Sequence, residues 1–145
     1  ANPNLRTADR DNTLAACEGF KNHPTSVLNF VEGTRRTQEK FDRQKGEFKY
    51  LLRPKIGGLD YVFEGLEDHL YRLVDITIIY PDGVPTFWDF IQGKCPRVTM
   101  EVRTLEIPAK LNGPNGAKRR AQLAQWIKDI WLEKDDRVAQ AMNLG

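Results

Sequence analysis

A carboxylate, a glycine, a hydroxyl and an arginine follow a short apolar run in the first quarter of the chain. The run spans residues 27–31, and Glu32-Gly33-Thr34-Arg35 comes directly after it. Glycine lets backbone amides approach a ligand closely, a threonine hydroxyl donates a hydrogen bond, and the planar guanidinium of Arg35 suits bidentate binding of a phosphate. Glu32 could hold Arg35 in place or hydrogen-bond a substrate hydroxyl. The group predicts an anion-binding loop.

The charge of this chain is concentrated locally. The 22 Lys and Arg against 20 Asp and Glu give a net charge of only +2, which does not indicate a nucleic-acid coat. Residues 35–55, in contrast, carry eight basic and three acidic side chains. This basic window predicts an anionic ligand, although a solvated, charged turn after a strand explains the loop alone equally well.

Hydrophobic periodicity predicts the elements that hold the loop. Residues 27–31 and 73–80 are nearly continuous apolar runs, as strands buried on both faces are. From Gly57 onward, apolar residues follow helical spacing. Strand, helix and strand in this order predict a βαβ unit with parallel strands, and such sheets bind ligands at the carboxyl ends of their strands. We therefore expect the α/β class, with a central mostly parallel sheet and flanking helices.

Further elements complete one predicted domain over residues 1–145. Residues 97–103 alternate apolar and polar side chains, which predicts a third strand with one solvent-exposed face, and the phase slip at Thr104-Leu105 allows a bulge. A turn-rich stretch at 112–116 precedes a long amphipathic helix. The polar residues 1–12 are expected to be loosely ordered.

Two blocks of the sequence resemble those of a known enzyme family. Phe30-Val31-Glu32-Gly33-Thr34-Arg35 is similar to the third block of the glycerolipid acyltransferases, the lysophosphatidic acid acyltransferase family, usually written Phe-Pro-Glu-Gly-Thr-Arg. Val31 stands where the family has proline. Leu51-Leu52-Arg53-Pro54-Lys55-Ile56-Gly57-Gly58 resembles the proline-centred fourth block, at about the family's distance. The segments that resemble the bacterial branch related to lysocardiolipin acyltransferases are 74–78, 85–88 and 131–135.

The resemblance implies acyl transfer from acyl-CoA or an acyl carrier protein to the hydroxyl of a lysophospholipid of the lysophosphatidic acid type. The acyl thioester is the donor, and no other cofactor is implied. The complete protein is expected to act on the cytoplasmic face of a membrane, with this chain supplying the part that binds the acceptor phosphate. The implied substrate-binding residues are Glu32, Gly33, Thr34, Arg35, Arg36, Pro54, Lys55, Gly57 and Gly58.

The family's catalytic block, His-x4-Asp, is not found in this sequence. The two histidines are His23 and His69, and the fifth residues after them are Leu28 and Val74. The sequence therefore resembles the carboxyl-terminal part of an acyltransferase, and we nominate no catalytic residue. Without this general base, the chain alone is predicted to be soluble, at least partly folded and inactive.

Two segments have two interpretations each, and a third has one. Gly57-Gly58 could present a helix amino terminus to an anion or form an ordinary turn. Phe87-Trp88 with Phe90-Ile91 could rest among lipid headgroups, although core packing is the preferred interpretation. The charged run 133–137 is interpreted as a solvated helix face with intrahelical ion pairs.

Two other function classes are weighed against an acyltransferase. A noncatalytic module that binds phosphoanions or a lipid surface requires the basic window but not the missing histidine. A nucleic-acid binder ranks last because the charge is nearly balanced, so no nucleic-acid partner is expected. Cys17 and Cys95 have no metal-ligand spacing, so we expect no metal site and reduced thiols.

Overall fold

The computed structural model describes residues 3–44, 46–111 and 116–143, with side chains from Thr7 onward. Its helices are α1 (Pro3–Phe20), α2 (Gln38–Gln44), α3 (Gly57–Leu66), α4 (Phe87–Ile91) and α5 (Gly116–Asn143). Its strands are β1 (Arg72–Ile79) and β2 (Thr99–Glu106), and short 3₁₀ helices lie at Glu67–His69 and Ala109–Leu111. The chain is therefore a mixed protein of helices and strands. Of the turn-rich stretch expected at 112–116, residues 112–115 lie outside the described residues.

Helices α3 and α5 form the main hydrophobic core, as their periodicity predicts. The residues of this core are Phe48, Leu59, Phe63, Leu111, Leu123, Ile127, Ile130 and Trp131. Trp126 contributes an edge-on contact with the ring of Phe63, at 6.4 Å between centroids. Aromatic pairs prefer this geometry because the positive ring edge meets the negative face. The core fixes the position of α3, and therefore of the glycines at its start.

Helix α1 packs against the other side of α3 at a glycine. An added Cβ at Gly65 would lie 2.6 Å from Cβ of Cys17, so only glycine permits this approach. Cys17 is buried there with Val62 and Leu66. The backbone is helical from Pro3 onward, in contrast to the loose order that composition suggests for residues 1–12. Proline suits the first helical turn because its missing N–H would have no partner there.

Strands β1 and β2 form a two-stranded antiparallel sheet. The run 73–80 is a strand as predicted, but its described partner is β2, because residues 80–98 return the chain as a hairpin. A parallel sheet is therefore not formed within the described residues. Pairing runs one to one from Arg72 opposite Glu106 to Ile79 opposite Thr99, so the bulge expected at Thr104-Leu105 is absent from this ladder.

The strand predicted at 27–31 is not formed. Residues 24–30 have no regular secondary structure, and Leu28 and Phe30 are 75% and 79% exposed. An apolar run is buried on both faces only when other elements cover it. No described strand lies beside this one, so the βαβ unit expected from the sequence is wrong for the described residues.

The sheet places polar residues inside and apolar residues outside. The side chains of β1 that are buried towards α5 are Asp75, Thr77 and Ile79. The exposed residues on the opposite face, which we call the outer apolar face, are Val74, Ile76, Ile78, Met100 and Val102. Ile76 lies opposite Val102 and Ile78 lies opposite Met100. The prediction that 73–80 is buried on both faces is therefore wrong. On β2 the exposed face carries the apolar residues Met100 and Val102, whereas the alternating pattern would place polar residues there.

A buried ionic layer joins the inner face of the sheet to α5. Asp75 accepts hydrogen bonds from Nζ of Lys134 at 2.7 Å and from Nη2 of Arg103 at 2.8 Å. Nζ of Lys134 also donates to the Ile76 carbonyl at 2.9 Å. Burial by itself would raise the pKa of Asp75, but these two cations outweigh it and lower the pKa. The layer joins the hairpin to α5, and Leu73 and Leu105 of the hairpin also pack against the main hydrophobic core.

Helix α4 projects its large apolar side chains into solvent. Phe87, Trp88, Phe90 and Ile91 are between 59% and 70% exposed. The preferred interpretation, that they pack in the core, is therefore wrong. Among the described residues, no helix is long and apolar enough to cross a membrane.

Candidate anion-binding site

The glycine of the loop occupies a left-handed backbone position. Gly33 has φ of 66°, and its amide donates to the Phe30 carbonyl at 2.8 Å, which closes a tight turn. A Cβ at Gly33 would also lie 3.4 Å from Cδ of Lys55. The turn and the close approach of the Lys55 stem both favour glycine here.

The structure brings the two resembling blocks together. The Lys55 amide donates to the Val31 carbonyl at 2.7 Å, and the Leu52 amide donates to Oε1 of Glu32 at 3.0 Å. The loop at 32–36 and the segment at 52–55 are therefore one structural unit, although they are separated in sequence. This adjacency is the geometric requirement for the two blocks to share a ligand.

Glu32 stabilises this structural unit through a hydrogen bond to its backbone. Its half-buried carboxylate contacts the Leu52 amide, and the structure describes no ion pair between Glu32 and Arg35. Burial raises the pKa of Glu32, although the Leu52 hydrogen bond opposes this. From the sequence, Glu32 was expected either to hold Arg35 in place or to hydrogen-bond a substrate hydroxyl. In the structure its carboxylate binds the Leu52 amide and forms no described ion pair with the Arg35 guanidinium.

The side chains on either side of Arg35 are tied to the protein. Nζ of Lys40 donates to Oγ1 of Thr34 at 2.5 Å, which occupies the hydroxyl as an acceptor and leaves its hydrogen to donate. Nε of Arg36 donates to the Tyr50 carbonyl at 2.6 Å, and its guanidinium lies 4.7 Å from the centroid of the Phe41 ring. Arg36 therefore acts mainly as a structural anchor.

Three cations of the unit point to solvent without a partner. The side chains of Arg35, Arg53 and Lys55 are exposed, and they form no hydrogen bond or ion pair within the described ranges. Two other described cations of the basic window are paired with carboxylates, Arg43 with Glu39 at 2.6 Å and Lys49 with Asp136 at 3.5 Å. The positive charge available to a ligand is therefore concentrated beside Gly33.

The amino terminus of α3 opens beside these cations. Ile56 occupies the cap position and provides no side-chain acceptor, so the amides of Gly57 and Gly58 have no capping partner within the described residues. Pro54 precedes this start and, with its fixed φ, limits the approach of the chain. A Cβ at Gly58 would lie 3.2 Å from Nδ2 of Asn29, which places that amide group against the first turn. Asn29 was not predicted as a site residue.

A buried carboxylate that the sequence analysis missed supports the whole unit. Asp135 accepts hydrogen bonds from the amides of Lys49, Tyr50 and Leu51 at 2.6, 2.8 and 2.9 Å. Nε1 of Trp131 donates to the next carbonyl, Leu52, at 3.1 Å. The interpretation of 133–137 as a solvated face is therefore wrong for its buried members. A signal was present in the sequence, because Asp135 continues the helical phase of the buried residues of α5.

Within the described residues, the structure forms no His-x4-Asp arrangement around either histidine. His23 is exposed. Nδ1 of His69 lies 3.1 Å from Oδ1 of Asp68, its neighbour in sequence, and 3.2 Å from the Leu66 carbonyl. The described residues also contain no group of side chains that could hold a metal ion. The exposed cations and uncapped amides are groups that favour an anion, and no general base is described beside them.

Compared with known proteins, the sequence matches no family model, and no solved structure matches the chain. The resemblance to the glycerolipid acyltransferases therefore depends on the two blocks and on their arrangement in space.

Proposed function

We propose that this chain provides the acceptor phosphate-binding part of a glycerolipid acyltransferase. The reaction would transfer an acyl group from acyl-CoA or an acyl carrier protein to a lysophospholipid of the lysophosphatidic acid type, in phospholipid synthesis or remodelling. The observation that supports the proposal is the contact of the turn at Gly33 with Lys55, two residues before α3, together with the exposed cations Arg35, Arg53 and Lys55 on the joined segments. A phosphate monoester requires this combination of amides and cations.

The nine expected site residues have different roles in this proposal. Arg35 and Lys55 supply charge, the amides of Gly57 and Gly58 supply hydrogen-bond donors, and the Thr34 hydroxyl supplies one more. The residues that shape the loop are Glu32, Gly33, Arg36 and Pro54. The side chains of Arg35 and Lys55 are exposed, whereas those of Glu32 and Arg36 are bonded within the protein. Substitutions in these two pairs should therefore affect binding and stability separately.

The chemical step requires a general base that the chain does not provide. In this proposal the base belongs to a His-x4-Asp block elsewhere in the complete protein, which acts at the cytoplasmic face of a membrane. The complete domain would contain a central mostly parallel sheet in which residues 27–31 pair beside β1. The exposed apolar run at 27–31 and the outer apolar face support this arrangement, because both would then be covered.

A titration with glycerol 3-phosphate tests the proposal on this chain. Glycerol 3-phosphate carries the acceptor's phosphate without its acyl chain, so binding does not require a membrane. We expect calorimetry to detect saturable binding that weakens as salt rises, because the attraction is between charges. Binding that equals that of uncharged glycerol would contradict the proposal.

The alternative is a noncatalytic module that binds phosphoanions or a lipid surface. The lack of a described base favours it, since binding requires only the loop. A radiolabelled acyl-transfer assay on the complete protein, with acyl-CoA and lysophosphatidic acid, separates the two functions. Turnover would support the acyltransferase, whereas anion binding without turnover would support the module.

A further inference from the structure

Helix α4 presents a dense group of exposed apolar side chains. Phe87 and Trp88 are 70% and 68% exposed, and Phe90 and Ile91 are 59% and 61% exposed. None of them belongs to the hydrophobic clusters of the described residues. We call these four residues the apolar tip.

The apolar tip is held in a defined conformation. Oγ1 of Thr86 accepts a hydrogen bond from the Asp89 amide at 3.1 Å, and the Asp89 carboxylate accepts one from the Thr86 amide at 3.2 Å. This capping box fixes the start of α4. At the base of the loop, Arg97 forms two hydrogen bonds with the Asp82 carboxylate, at 2.6 and 3.0 Å. The exposed side chains of the apolar tip therefore belong to a folded element.

The charges around the tip suit a phospholipid surface. Asp82 is neutralised by Arg97, and the Asp89 carboxylate is directed into the capping box. The Lys94 side chain is exposed and forms no ion pair with a described residue. Asp89 keeps its charge because its partner Thr86 is neutral, so Asp82, Asp89, Lys94 and Arg97 together carry no net charge. The tip therefore meets no net electrostatic repulsion at a phospholipid surface.

The area of the tip distinguishes a bilayer from a second protein. Since large apolar side chains cover about 150–250 Å² each, the exposed parts of these four amount to roughly 400–600 Å². A stable protein interface needs about 800 Å² from each partner, whereas aromatic side chains at a headgroup boundary act singly or in small groups. We infer that the apolar tip inserts into the headgroup region of a phospholipid bilayer. This inference rests on the proposed function, because the proposed acyl acceptor is itself a lipid.

Vesicle binding by the whole chain tests the inference. The probe is vesicles of phosphatidylglycerol and phosphatidylcholine, with cosedimentation and tryptophan fluorescence as readouts. We expect partition that is at least tenfold weaker in the double variant Phe87→Ser, Trp88→Ser. Bromine-labelled lipids should quench the fluorescence of the unsubstituted chain, because Trp88 lies in the tip while Trp131 is buried.

A control variant substitutes two exposed apolar residues outside the tip. The double variant Ile76→Thr, Ile78→Thr changes exposed residues of the outer apolar face, and it should partition within about twofold of the unsubstituted chain. Equal loss in both double variants, or no vesicle binding at all, would overturn the inference. A concentration-dependent dimer that the Phe87→Ser, Trp88→Ser change abolishes would also overturn it, in favour of a second copy.

Glycerol 3-phosphate binding without vesicles separates this inference from the proposed function. If the Phe87→Ser, Trp88→Ser variant still binds glycerol 3-phosphate, it is folded, and its vesicle result concerns the tip alone. If the unsubstituted chain binds vesicles but not glycerol 3-phosphate, the proposed function fails while the inference stands.

Discussion

The candidate anion-binding unit, which consists of residues 32–36 and 52–55 with their support Asp135, differs from the hairpin of β1 and β2. The two regions use carboxylates for opposite purposes. In the anion-binding unit, Asp135 and Glu32 accept hydrogen bonds from backbone amides, and cationic side chains remain outside. In the hairpin, Asp75 accepts from the side chains of Lys134 and Arg103, and apolar side chains remain outside. The first region therefore presents charge to solvent, whereas the second presents hydrocarbon.

This difference shows which surfaces need a partner. Exposed cations are well solvated, so the anion-binding unit is stable without its ligand. A contiguous apolar face is costly to leave in water, and large patches of this kind usually mark interaction sites. The apolar surface of the hairpin thus predicts that another protein element packs on it. The cationic surface of the anion-binding unit predicts a charged, water-soluble ligand group.

The largest expected effect is the loss of the Asp135 carboxylate. Asp135→Ala would remove a buried acceptor from three partly buried amides, and we expect the free energy of unfolding to fall by about 3–5 kcal/mol. Urea unfolding followed by circular dichroism measures the change. Asp136→Ala is the matched control, because its exposed pair with Lys49 spans 3.5 Å and should contribute less than about 1 kcal/mol. Equal losses would show that the anion-binding unit does not depend on this buried carboxylate.

The next effect concerns the ionic layer and depends on pH. Asp75→Asn keeps the shape of the side chain but removes the charge that faces Lys134 and Arg103, and we expect a loss of about 3 kcal/mol at neutral pH. The pKa of Asp75 is lowered in the folded protein, so its stabilisation is present above the ordinary carboxyl pKa. It is lost as pH falls through the lowered value. Urea unfolding at several pH values should show the variant and the unsubstituted chain converging in acid; a constant difference would contradict this account.

The smallest effect has the opposite pH dependence. Burial raises the pKa of Glu32, so its contribution favours folding below the ordinary carboxyl pKa and is lost as pH rises through the raised value. Glu32→Gln keeps an acceptor for the Leu52 amide, and its stability should stay within about 1 kcal/mol at neutral pH. Relative to the unsubstituted chain, the variant should become more stable as pH rises through the raised pKa. A relative loss of stability over that range would show that the ionised carboxylate is preferred.

The sequence predicts the helices of this fold better than its sheet. The apolar spacing of α3 and α5 is local, and both helices are found where that spacing predicts them. The partners of a strand are set by residues distant in sequence. The apolar run at 27–31 is therefore compatible with a buried strand and also with an exposed segment on which no other element packs. The wrong prediction of a βαβ unit in the described residues follows from this dependence on distant partners.

The candidate site could be predicted in its loop residues but not in its supports. Glycine, threonine and arginine in one short segment indicate anion chemistry by type alone. Asp135 is far along the chain in a charged run, and nothing in its immediate neighbours distinguishes it from solvated Asp136. The helical phase of α5 separates them, since Asp135 is buried and Asp136 is exposed.

The most direct test of the central claim is the effect of Arg35 on glycerol 3-phosphate affinity. A charge-assisted hydrogen bond contributes about 1.5–3 kcal/mol, so Arg35→Ala should weaken binding by about 10- to 100-fold in calorimetry. Arg35→Lys should recover only part of this, because a point charge does not reproduce the guanidinium fork. Arg43→Ala, which removes an equal charge paired with Glu39, should leave the affinity within about twofold. Unchanged affinity in a folded Arg35→Ala variant would contradict the assignment of this loop to the acceptor phosphate.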